Sequence, residues 1–265
     1  MKTRQFPLVL LCVLVWATPV WAADQDDSVE SQQELADQGY SWAQAALGFR
    51  YSQGQGVPQN YAEALKWYRL AAIHGNATAQ YNLGVLYCKG QGVAQDYVEA
   101  RKWYRLAAAQ GDMDAQFNLG VIYAYGHGVP PDYAEAFKWY RLAAAQGDGD
   151  AQLNIGLMHF KGQGVPLDAA EARQWFELAA ARGQAEAQYN LGVLYLKGQG
   201  IARDEVQAYK WLALAAATYT AQAAREEAEK SRDSVATHLT PAQLTEAQKL
   251  AQEWKLENTT NSGSP

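Results

Sequence analysis

Few side chains in this sequence have the type and spacing that catalysis or metal binding requires. The four histidines are His74, His127, His159 and His238, and no two of them have the i, i+4 spacing of a helical zinc site. Neither an HExxH nor a CxxC motif occurs. The sequence therefore predicts no catalytic residue, no metal site and no cofactor, and we do not expect an enzyme.

Thiol and phosphate chemistry are also poorly supported. A reactive thiolate needs a base within reach, and no histidine accompanies Cys88 in its own stretch of chain. The recurring GQGV segment has the glycines of a phosphate loop but lacks the following Lys-Ser/Thr pair. Positions 36 residues apart from Cys88 hold other small or apolar side chains, which favours a structural role: Ser52, Ala124, Phe160 and Leu196.

A period of 36 residues organises most of the chain. It separates the glycines Gly48, Gly84, Gly120, Gly156 and Gly192. It also separates the tryptophans Trp67, Trp103, Trp139, Trp175 and Trp211. A fixed period of about 20–50 residues is typical of a solenoid, in which each unit stacks on its neighbours.

Each 36-residue unit has the pattern of two helices, here called helix A and helix B. In the second unit, Ala79, Leu83 and Leu86 mark one face of helix A. A loop with two glycines follows, and Asp96 with Glu99 predicts a capping box at the start of helix B. Glycine inside a helix costs about 1 kcal/mol relative to alanine, so we expect the glycine of helix A to allow close approach of a neighbouring backbone.

These patterns predict an all-α fold, an α/α superhelical solenoid of five 36-residue helix-turn-helix repeats with C-terminal capping helices. Residues 39–218 form the solenoid, 23–38 a short linker or the start of a first cap, and 219–257 the C-terminal capping helices. Residues 1–22 are predicted as a signal peptide and 258–265 as a disordered tail. The acidic and polar residues 23–33 are also expected to be disordered.

The segment AQYNLGVLYCKGQGVAQDYVEARKWYRLAAAQGD (Ala79–Asp112) resembles a Sel1-like repeat, a tetratricopeptide-like α/α solenoid module. The resemblance covers five units and implies an adaptor or scaffold that binds a protein or peptide partner. Cysteine-rich members of the family are linked to β-lactam binding, which implies an alternative function as a cell-wall-related hydrolase or β-lactam-binding protein. Their disulfide cysteines are missing here.

The N-terminus predicts export. Lys2 and Arg4 precede the apolar run from Leu8 to Trp16, and the pattern predicts cleavage between Ala22 and Ala23. Cleavage would move the net charge from −6 to −8, which argues against nucleic-acid binding. We expect a periplasmic or secreted protein without a membrane span.

Variation between repeats suggests where a partner could bind. Apolar positions of helix A that change shape from repeat to repeat predict a concave binding face: Tyr81, Val85, Phe117, Val121, Tyr125, Leu153, Leu157, Tyr189 and Val193. Packing between repeats with compensating variation is the other interpretation, and polysaccharide binding through exposed aromatic residues is a weaker third function. The sequence leaves the partner and the oligomeric state open.

Overall fold

A computed structural model describes residues 28–198 and 200–261, and within them all regular structure is helical. The first helices are α1 (Val29–Asp37), α2 (Ser41–Gln53), α3 (Tyr61–Ile73), α4 (Ala77–Lys89), α5 (Tyr97–Ala109), α6 (Met113–Tyr125) and α7 (Tyr133–Ala145). The remaining ones are α8 (Gly149–Lys161), α9 (Ala169–Ala181), α10 (Ala185–Lys197), α11 (Glu205–Thr218), α12 (Gln222–Ala236) and α13 (Pro241–Asn261). Even-numbered helices from α2 to α10 are the A helices of the repeats, and odd-numbered ones from α3 to α11 are the B helices.

The helices form two compact units, one ending at Pro131 and one beginning at Asp132. The first contains α1 to α6, and the second contains α7 to α13. Within each unit, every helix packs against the next one in the chain up to α12, and α13 packs against α11. This succession of packed helix pairs confirms the predicted all-α solenoid architecture.

Two terminal segments differ from expectation. Residues 29–33, expected to be disordered, belong to α1, because Ala36 of this helix is buried in a cluster with Ala43, Leu47 and Trp67. At the other end, α13 continues to Asn261, past the start of the predicted tail at residue 258. The predicted signal peptide lies outside the described residues.

The glycine inside helix A makes room for a side chain rather than for a backbone. A Cβ at Gly84 would lie 2.5 Å from two ring carbons of Tyr104, which is on α5 of the same repeat. Gly48 meets Tyr68 and Gly156 meets Phe176 in the same way. The expected close approach exists, but its partner is the buried ring of helix B.

The two glycines of each loop have different structural roles. The first ends helix A in the left-handed region, as at Gly90 with φ 67°, where a side chain is strained. The second, as at Gly92 with φ 71°, lies so close to the preceding repeat that a Cβ would meet the Tyr61 carbonyl oxygen at 2.5 Å. This second glycine fixes how one loop sits on the previous helix B.

The predicted capping box forms only in its first half. The Asp96 carboxylate accepts hydrogen bonds from the backbone N–H of Val98 (2.9 Å) and of Glu99 (3.0 Å). The Asp96 N–H, however, donates to the carbonyl of Tyr87 on helix A at 2.9 Å. Glu99 is therefore released from the cap and pairs with Lys102. The cap also ties helix B to its own helix A.

A row of buried glutamines joins successive repeats, and the sequence reasoning missed it. Gln80 on α4 is buried, and its side-chain nitrogen donates to the carbonyl of Ala72 at the end of α3, at 3.1 Å. Gln44, Gln116 and Gln152 make the same bond to the preceding helix. Recurrence at 36-residue intervals was the available signal, since a buried polar side chain requires a partner.

Candidate functional site

The structure buries several of the side chains predicted to line a binding face. Four of the nine are buried: Tyr81, Val85, Val121 and Leu153. Four others are half-buried: Phe117, Leu157, Tyr189 and Val193. Only Tyr125 is exposed, with 47% of its surface accessible. A continuous exposed apolar strip does not form at these positions, and their role in binding remains a prediction.

Packing on more than one side of helix A explains this burial. Leu83, Val85, Leu86 and Tyr87 all lie in the interior although they point in different directions around α4. Tyr81 packs against the ring of Tyr104, with centroids 5.8 Å apart. The apolar positions of helix A that vary in shape thus pack against helices of the protein itself.

Tyr125 belongs to a different structure from the other predicted residues. Its ring stacks on His127 with centroids 6.0 Å apart, and His127 stacks on Tyr97 at 4.8 Å. His127 replaces the Gln of the other repeats, and Tyr125 replaces the Lys of three of them and Gln53 of the first. The result is a local aromatic stack at the end of α6.

The residues of helix A that do reach the surface are mostly polar. On α4 they are Thr78, Asn82 and Lys89, which lie along one face of the helix. We call the equivalents of this set on the A helices of the second unit the A-helix row. Those equivalents are Asp150, Asn154 and Lys161 on α8, and Glu186, Asn190 and Lys197 on α10.

Asparagine occupies the centre of the A-helix row. The Asn82 side-chain nitrogen donates to the carbonyl of Thr78 at 2.8 Å, and Asn154 donates to Asp150 in the same way at 2.8 Å. An asparagine amide has two donor hydrogens and an accepting oxygen, so each keeps further hydrogen-bonding capacity. These asparagines were not predicted from the sequence, although the residue recurs at 36-residue intervals.

The second unit places acidic groups close together at the start of its A helices. Burial, followed by the nearby charge of Asp148, raises the pKa of Asp150, while a hydrogen bond with Gln184 opposes the shift. Glu186 lies at the surface, yet protein atoms displace part of the water around its carboxylate, and this raises its pKa. The positive charge of Lys161 lowers the pKa of Glu186, and the negative charge of Asp150 raises it further. Negative charge at helix starts and lysine at helix ends also complement the helix dipoles.

The described residues offer no clear catalytic constellation. Between residues 28 and 258, no group of three His, Cys, Asp or Glu side chains is arranged to hold a metal ion. Cys88 is buried on α4 with 3% of its surface exposed. Among the helices that the structure describes, none is both long and apolar enough to cross a membrane.

The repeat pattern matches a known family model. The Sel1 repeat model matches residues 43–76, 77–112, 114–148, 149–184 and 185–217. The chain belongs to the Sel1 repeat family. The matched segments follow the helix pairs from α2–α3 to α10–α11, so the Sel1 repeats correspond to the predicted 36-residue units. A comparison with curated proteins gave no match.

Two solved structures extend the Sel1 assignment. One is a protective antigen present in uropathogenic Escherichia coli strains that displays an SLR fold, with 36% identity and a TM-score of 0.75 over 88% of this chain. This chain spans only 49% of that protein. The other is a Sel1 repeat protein from Oxalobacter formigenes, with 37% identity and a TM-score of 0.68, covering 74% of this chain and 83% of that one.

Proposed function

We propose that this Sel1 repeat protein is an exported adaptor that holds an extended segment of a partner protein along its A-helix row. Sel1 repeat proteins generally mediate protein–protein interactions, which supports the class of function. The observation that carries the choice of surface is the recurrence of asparagine at the same position of α8 and α10, Asn154 and Asn190.

The chemistry of this row suits an extended peptide. A peptide unit offers one N–H donor and one C=O acceptor, and an asparagine amide can satisfy both. Regularly spaced amides can therefore hold a main chain independently of its side chains. The acids and lysines at either end of the row would then select the charge pattern of the partner and favour one direction of binding.

Alanine at the equivalent position of the first repeat offers a structurally safe test. Ala46 is half-buried and stands where the fourth and fifth repeats have Asn154 and Asn190, so alanine is a residue that the fold already accepts there. We would crosslink tagged protein in a cell-envelope fraction and compare wild type with the double variant Asn154→Ala/Asn190→Ala. Capture of the main partner should fall by about tenfold or more, with unchanged helical content.

Gln222→Ala on α12 is the control, because it removes a side-chain amide from a helix outside the A-helix row. Capture that survives the double variant but falls in Phe117→Ala or Tyr189→Ala would move the site to the predicted apolar positions. Capture that survives all of these changes would refute a site on the A helices.

Export is supported by the N-terminal charge and hydropathy pattern. We expect a mature protein that begins at Ala23, and N-terminal sequencing of protein from a periplasmic or culture fraction checks this. Replacing Leu10 with Arg inside the apolar run should keep the full-length chain inside the cell. Full-length protein in the exported fraction would contradict the cleavage site.

A further inference from the structure

The outer face of the B helices carries a second repeated feature, a leucine at 36-residue intervals. In the interior repeats these leucines are about half exposed: Leu106 at 48%, Leu142 at 49% and Leu178 at 50%. The equivalent leucine of the last repeat, Leu214, is only 1% exposed. A tryptophan lies three residues before each of them.

Helix α13 is the reason that Leu214 is buried. Leu214 and Trp211 share a core cluster with Ala251 of α13, and Trp254 packs against the same cluster. The rings of Trp211 and Trp254 meet edge to face, with centroids 5.4 Å apart. The chain therefore contains one example of a helix bound to the Trp/Leu face of helix B.

The contacting residues of α13 define what such a face accepts. Leu244 and Ala247 pack with Ala208 and Leu212 of α11, and Ala251 and Trp254 continue the same stripe. Their spacing of three, four and three residues places them on one side of a helix. Small residues in the middle allow close approach, while leucine and tryptophan at the ends supply most of the buried area.

Charge adds a second requirement. On α7, Lys138 and Arg141 are exposed beside Leu142, whereas α9 has Gln174 and Glu177 at these positions. On α11, burial lowers the pKa of Lys210, and the negative charges of Glu177 and of Glu257 on α13 oppose that shift. The negative charge of α13 thus lies near Lys210, which is the equivalent of Lys138 on α7.

We propose that the outer faces of α7 and α9, centred on Leu142 and Leu178, bind an amphipathic helix of a partner protein in the way that α13 binds α11. The partner helix has a leucine–alanine–alanine–tryptophan stripe with acidic residues beside it. Helix α9 adjoins the α13 interface, because Phe176 and Ala179 on its buried side belong to the same cluster as Leu214 and Ala251. This surface is separate from the A-helix row, so the two proposals stand independently.

A peptide of residues 241–258, labelled with a fluorophore, is the probe. Titrated with the full-length protein, it should bind saturably, and the double variant Leu142→Lys/Leu178→Lys should weaken binding by about tenfold or more. Both leucines are half exposed, so the variant should keep the urea midpoint of the wild type. Leu167→Lys is the matched control, since it makes the same change at a leucine with 70% exposure in a loop.

Three results would overturn the proposal. Equal binding to wild type and to the double variant would mean that the peptide only exchanges with α13 on α11. Absence of binding at millimolar peptide would mean that α13 does not represent the ligand. A wild-type dimer that the double variant converts to monomer would assign the face to a second copy of the chain. Asn154→Ala/Asn190→Ala should leave peptide binding unchanged, which separates failure here from failure of the A-helix site.

Discussion

The second and fifth repeats follow the same 36-residue pattern, yet they bury different parts of it. In the second repeat, helix α4 is buried almost all round and Leu106 of α5 is half exposed. In the fifth, three residues of α10 are only half-buried: Val193, Tyr195 and Leu196. Leu214 of α11, in contrast, is buried under α13. The same residue type is therefore buried to different extents in different repeats, because its burial depends on the helices that lie beside the repeat.

Replacing the glycine of helix A by alanine should give the largest difference in stability between the two repeats. Gly84→Ala forces a Cβ against the rigid ring of Tyr104, whereas Gly192→Ala meets the side chain of Leu212, which can change rotamer. We expect a loss of about 2 kcal/mol in the free energy of unfolding for Gly84→Ala and roughly half of that for Gly192→Ala. Urea titration measures both.

Asn82 is half-buried on the same helix as Gly84, and its amide bonds to its own helix. Asn82→Ala should therefore stay within about 0.5 kcal/mol of wild type, and it serves as the control for Gly84→Ala. Equal losses at Gly84 and Gly192 would mean that the identity of the helix-B side chain does not matter.

Loss of the packing of α13 on the fifth repeat should give the next largest loss in the free energy of unfolding. Trp254→Ala removes the ring that packs on Trp211 and should cost roughly 1–2 kcal/mol, because the side chain is only partly buried. Leu106→Ala removes a smaller apolar group, which is half exposed on the uncovered face of the second repeat, and should cost less than about 0.5 kcal/mol. Thermal melts of the two variants test the comparison, and a larger loss at Leu106 would show that its face is covered in solution.

The repeat comparison also shows which features were predictable from the sequence. The period, the helix pairs, the loop glycines and the aspartate caps follow from local rules, so the fold could be predicted. The burial of Tyr81 and Val85 could not be, because it depends on how many helices surround α4. The covering of Leu214 likewise depends on α13, which lies 27 residues further along the chain at its first residue.

A smaller effect, visible only as a pH dependence, is expected at the start of helix A. Glu186 of the fifth repeat has a raised pKa, so the folded state binds its proton more tightly than the unfolded state does. Its charge therefore lowers stability at pH 7, and this cost disappears as the pH falls through the raised pKa. Glu186→Gln should be more stable than wild type at pH 7, with a difference that shrinks toward pH 4.

Thr78 stands at the equivalent position of the second repeat and does not titrate, so Thr78→Gln is the matched control. Its difference from wild type should be the same at both pH values. A Glu186→Gln difference that grows as the pH falls would reverse the sign of the assigned pKa shift.

The smallest effect is expected at Cys88, which the first repeat replaces by Ser52. The Ser52 hydroxyl donates to the carbonyl of Phe49 on its own helix at 2.8 Å, so a serine in this buried position finds a partner. The equivalent carbonyl in the second repeat belongs to Val85. Cys88→Ser should therefore change the free energy of unfolding by less than about 0.5 kcal/mol, because the new hydroxyl is not left unsatisfied.

The fifth repeat supplies the contrasting variant at Cys88, since it has the larger Leu196 there, on a helix that is less enclosed. Cys88→Leu adds volume to the closed interior around α4 and should cost about 1–3 kcal/mol. Urea titration distinguishes the two variants at once. A serine variant that unfolds as easily as the leucine variant would mean that the thiol itself, rather than its size, is required at this position.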